Sequence, residues 1–169
     1  MSNVSGIKPS DEQMPVEIGL DDAARERLST ALGGILADSY VLLARTHGFH
    51  WNVIGPQFPG LHELFETQYK EIFVAIDEIA ERIRALGFFA PGELNAFIER
   101  TSLNRNSQAH DAEAMLAVLI QDHEAVVRAC RQIIGLCDET GDTVTEDLMN
   151  ERIAAHEKAA WMLRASQSR

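Results

Sequence analysis

Between His47 and Gly87 the chain reads HGFHWNVIGPQFPGLHELFETQYKEIFVAIDEIAERIRALG. Five side chains here, His50, His62, Glu66, Asp77 and Glu81, have the donor chemistry of metal ligands. Nitrogen and oxygen donors without thiolate suit Fe(II), Zn(II) or Mn(II) and disfavour Cu(I) or an iron–sulfur cluster. Taken singly, a helical histidine or carboxylate is ordinary solvated surface or a satisfied core group. The set is harder to assign to solvent. On a helix advancing about 100° per residue, His62, Glu66, Asp77 and Glu81 fall within roughly 100° of arc. Ile72, Phe73 and Ile76 lie close to the same face. Carboxylates beside such residues lose solvation, and a cation or hydrogen-bond partner must offset the loss.

One helix cannot close these residues on one ion, because His62 and Asp77 are separated by about 22 Å of helical rise. A second copy can. When two copies of the helix pack antiparallel about a twofold axis, residues at one level have numbers that add to a constant total. His62 opposite Glu81 and Glu66 opposite Asp77 satisfy the same total, so both pairs meet at once. The axis passes near Glu71 and Ile72, and each dimer holds two identical sites, as an isologous interface requires. His50, just before the turn, is placed to complete the His62 end.

The elements that must position these residues are helices. From Asp21 to about Trp51, Leu28, Leu32, Ile35, Leu36, Leu42, Leu43 and Phe49 recur at helical spacing. Gly55, Pro56 and Pro59 force a turn, and a second long helix runs from about Pro59 to Gly87. A short helix is predicted over 93–100 and a third long one over 110–139. A fourth starts at Thr143, which with Glu146 makes a capping box, and Leu148, Ile153, Trp161 and Met162 continue its apolar pattern. There is no strand-like alternation. The fold class is all-α, a four-helix bundle with a short extra helix between the second and third helices, spanning 21–166. Residues 1–20, with two prolines and no sustained period, are expected to be a flexible tail.

With 169 residues the chain can bury one core. A formal charge of -11 argues against nonspecific attraction to nucleic acid or anionic lipid and favours cations. The chain has neither an apolar run of membrane-spanning length nor a signal-like start, so a cytoplasmic protein is expected. Cys130 and Cys137, about 10 Å apart along a helix, are beyond disulfide reach and read as core thiols.

The stretches HGFHWNVIGPQF, LHELFE and DEIAERIRALG, at these separations, and the closing HEKAAWMLRA, resemble the Dps family, the DNA-binding proteins from starved cells or miniferritins. The resemblance covers about 21–165. It implies a ferritin-like bundle assembled as a hollow bacterial homododecamer, with ferroxidase sites between twofold-related chains and His50, His62, Glu66, Asp77 and Glu81 as iron ligands. Position 66 is Glu where some relatives have Asp, and His47 resembles a non-ligand position. The implied chemistry is oxidation of Fe(II) to Fe(III), preferably by hydrogen peroxide, and deposition of ferric oxyhydroxide. Trp51 resembles the family's oxidation-sensitive tryptophan, with a core aromatic as its alternative role. By the same resemblance Asp138 and Asp142 are expected as acids of a channel that draws cations inward.

Three other readings compete. A nucleoid-condensing protein would carry a basic tail, whereas 1–20 holds Lys8 against Asp11, Glu12 and Glu17, so DNA binding is doubtful. A larger ferritin with a di-iron site inside each bundle needs Glu-x-x-His on two helices, and none occurs. The second helix also lacks methionine, so no bis-methionine haem is expected. Finally, the acids and histidines could be interface pairs that only fix register.

Overall fold

A computed structural model of the chain describes residues 15–167. It contains α1 (Asp22–Asn52), α2 (Phe58–Ala85), α3 (Leu94–Arg100), α4 (Ala112–Thr140) and α5 (Thr143–Ala165), with no strand among the described residues. α1 pairs with α2 and α4 with α5 as two hairpins, and α1 packing on α4 joins them. α3 sits on α1 within the crossover from α2 to α4, where the Phe97 ring stacks on Tyr40 at 4.0 Å between centroids. This is the predicted four-helix bundle with its short extra helix. Residues 1–14 of the expected tail lie outside the described residues, and 15–20 lead into α1 without helix. No helix among the described residues is long and apolar enough to cross a membrane.

The helix ends follow local chemistry. The Asp21 carboxylate accepts from Ala24 N at 2.7 Å at the start of α1, and Asp111 accepts from Ala114 N at 2.8 Å at the start of α4. Gly141, at φ 75°, ends α4 in the left-handed conformation that glycine adopts without strain. The start of α5 differs from expectation. Its N-cap is Asp142 rather than Thr143, with Oδ1 accepting from Thr145 N at 3.2 Å. A carboxylate one residue earlier outcompetes the hydroxyl because it also favours the positive end of the helix dipole.

The core stripe of α1 includes Leu28, Leu32, Ile35, Leu42 and Thr46 and ends at His50. That of α2 includes Leu61, Phe65, Gln68, Ile72, Ile76, Ile79 and Ile83. On α5 the buried face is Thr145, Met149, Arg152, Ile153, His156, Ala160 and Leu163, so three of its seven residues are polar. Trp161 and Met162, expected on the core pattern, lie outside this stripe, with Trp161 62% exposed. Cys130 and Cys137 are buried free thiols, as predicted.

Candidate metal centre

The site forms where the end of α1 meets the start of α2. Continuing the α1 core stripe turns His50 inward and buries it, while His62 and Glu66 lie one residue beyond Leu61 and Phe65 on the flank of the α2 stripe. His50, His62 and Glu66 bring one ligand atom each to within 4.8 Å of one another.

The two imidazoles are locked reciprocally. His50 Nδ1 donates to the carbonyl of His62 at 2.8 Å, and His62 Nδ1 donates to the carbonyl of His50 at 2.8 Å. A carbonyl only accepts, so each Nδ1 carries a proton and Nε2 is the ring nitrogen left to ligate a metal. The rings stack at 3.8 Å between centroids. Glu66 pairs with Lys70 one turn on. The Lys70 hydrogen bond and charge hold the Glu66 carboxyl below its ordinary value, with His50 and His62 adding to the effect. A carboxylate thus stays ionised beside the two imidazoles, and an ionised carboxylate is the form a divalent cation binds.

Asp77 and Glu81 do not join this cluster within the chain. Both are exposed further along α2, with Asp77 about 16 Å of helical rise beyond Glu66. Phe73 and Val74, between the two groups, are 66% and 60% exposed. The single chain therefore presents three candidate ligands, an exposed apolar patch, and two further acids along one helix.

Trp51 is 64% exposed, so in this chain it is not the core aromatic considered as its alternative role. Its ring lies 4.2 Å from that of His47, which stacks on Tyr69 at 4.2 Å, and Tyr69 meets His50 edge-on at 5.3 Å. Sequence reasoning passed over Tyr69 and Lys70, although their spacing was a signal: Tyr69 lies two turns after His62 and Lys70 one turn after Glu66.

The acids at the end of α4 and the start of α5 are placed differently from one another. A channel acid must face solvent, yet Asp142 is buried, accepts two bonds at 2.8 Å from Arg82 Nη2, and caps α5. Burial alone would raise its pKa, but bonds from Thr145 and Arg82 outweigh that and hold it below its ordinary value. Glu139 pairs with Arg27, and Asp138 is exposed.

A family model described as a ferritin-like domain matches residues 29–168. The chain is 38% identical over 130 residues to DNA protection during starvation protein 2 of Bacillus anthracis, covering 77% of this chain and 89% of the relative. It is 40% identical over 152 residues to an uncharacterized low temperature-induced protein of a Nostoc species, covering 89% and 85%. The fold superposes on the Vibrio cholerae O1 Dps protein, itself described as one of the ferritin-like diiron-carboxylate proteins. The TM-score is 0.84 and the identity 32%, over 90% of this chain and 96% of that one. It also superposes on DpsC of Streptomyces coelicolor with a TM-score of 0.88 at 25% identity, over 98% of both chains. The motif spacing, the bundle and these relatives agree: the chain belongs to the Dps family of ferritin-like proteins.

Proposed function

We propose that this protein is an iron-detoxifying miniferritin. It oxidises Fe(II), preferably with hydrogen peroxide, at sites shared between twofold-related copies, and it stores ferric oxyhydroxide inside a hollow homododecamer. The observation that carries this reading is the His50–His62–Glu66 half-site, with both Nδ1 atoms held by backbone carbonyls, on the same α2 face as the exposed Phe73, Val74, Asp77 and Glu81.

In this reading a second copy covers the apolar patch and brings its Asp77 and Glu81 to the first copy's histidines. The imidazoles and carboxylates hold ferrous ions as substrate and leave positions open for the oxidant. Peroxide takes two electrons and each ferrous ion gives one, so paired oxidation consumes both reagents without releasing hydroxyl radical. Asp138 is the exposed acid left to guide cations towards the interior, since Asp142 is engaged in the fold. The alternative function, nucleoid condensation, has the net charge of -11 against it.

The test is anaerobic addition of Fe(II), then a peroxide pulse, with ferric absorbance and particle size followed together. Consumption of about one peroxide per two irons, with a soluble ferric product at unchanged particle size, is expected. Ferric formation no faster than in buffer alone would reject the ferroxidase reading.

A further inference from the structure

A polar chain crosses three helices inside the bundle. His123 of α4 and His156 of α5, each about 1% exposed, meet Nδ1 to Nδ1 at 2.8 Å. His156 Nε2 lies 3.3 Å from Nη2 of Arg152, also buried. Arg152 in turn grips Glu71 of α2 through both guanidinium Nη atoms, one bond measuring 3.0 Å.

The protons in this chain can be assigned. Arginine only donates, so His156 Nε2 must be the acceptor and its proton must sit on Nδ1. That proton is donated to Nδ1 of His123, which therefore carries its own proton on Nε2, where it has no hydrogen-bond partner. Both rings are neutral, in opposite tautomers. A further proton has nowhere to go. On His156 the only lone pair faces the Arg152 cation, and on His123 it faces the donor of His156. The charges on neighbouring elements are already committed. Glu71 of α2 is paired with Arg152, Arg45 of α1 with Asp122 of α4, and Asp38 of α1 accepts from Thr101 and Ser102. Cys130 of α4 is a neutral thiol, pushed up to about 12 chiefly by burial.

We propose that His123, His156, Arg152 and Glu71 form an acid-sensitive fastener that holds α5 against α4 and α2 only while both imidazoles are neutral. Burial first, and then the Arg152 charge, push His123 down to about 3. Burial, His123 and Arg152 push His156 well below its ordinary value of 6.5. Unfolded, both rings take up protons near 6.5, whereas the folded chain excludes them. The fastener's contribution is therefore whole above 6.5 and lost progressively as pH falls from there towards about 3.

Two measurements on the full, iron-free chain decide this. Nitrogen-15 NMR of histidine-labelled protein at neutral pH and at pH 5 should show one Nδ1–H and one Nε2–H neutral ring joined by a hydrogen bond. A cationic ring for either residue in the folded protein at pH 5, or two rings in the same tautomer, would overturn the proposal. The double variant His123→Leu/His156→Met removes both titrating groups, and its acid-unfolding midpoint by circular dichroism should fall by roughly one pH unit. An unchanged midpoint in a folded variant would also overturn the proposal. If the variant does not fold, the NMR result alone decides.

Discussion

His50 and His62 each bond the other's backbone carbonyl, so the first turn of α2 and the last turn of α1 fix one another as well as the two rings. This reciprocity makes the half-site rigid before metal arrives. Lys70 works the other way, since its ammonium occupies the Glu66 carboxylate that a cation would take. Lys70→Gln should therefore tighten binding of a redox-inert probe such as Zn(II) by a few-fold, the modest scale of an exposed pair. Calorimetric titration checks this, and weaker binding would mean that Lys70 positions Glu66 rather than competing for it. The grouping of the candidate ligands His50, His62 and Glu66 was legible in the sequence because donor type and helical spacing are both written there. The carbonyl locks were not, because they depend on how the turn after Asn52 folds back.

At the scale of the helices, α1, α2 and α4 were readable from apolar periodicity, and α5 was readable in extent and, at Leu148 and Ile153, in its inward face, but not at Trp161 and Met162. Its buried stripe carries Arg152 and His156, which a hydrophobic pattern assigns to solvent, while Trp161 draws the pattern outward. The pairing of Asp142 was illegible for a related reason: a buried contact with Arg82, 60 residues earlier, leaves no local mark. Asp142→Ala removes the α5 cap and strands a mostly buried guanidinium, and it should cost about 3 kcal/mol of stability, seen as a lower Tm. Asp142→Asn keeps a capping oxygen and should cost less. Since the folded Asp142 pKa is depressed, its stabilisation is full above the ordinary value of 3.8 and lost as pH falls below it. A Tm difference between wild type and Asp142→Asn that persists unchanged well below that pH would contradict this pairing.

At the scale of the whole molecule, a charge of -11 should keep the protein off DNA at physiological salt, where phosphate neutralisation by cations dominates affinity. Retention in a gel shift under those conditions would contradict this and would require a cationic patch created by assembly. The same acidity should speed Fe(II) uptake at low ionic strength and let added salt slow it. The larger claim is that the ligand set closes only between copies, because Asp77 and Glu81 lie too far along α2 to reach His62 in their own chain. His62→Ala and Asp77→Ala should each abolish most peroxide-driven oxidation when expressed alone. Co-expressed, a mixed dimer gathers both defects into one site and leaves the other with an intact His62 from one chain and an intact Asp77 from its partner. Particles shown to contain mixed dimers should therefore recover activity in proportion to the mixed fraction, and a complete lack of recovery would contradict a shared site.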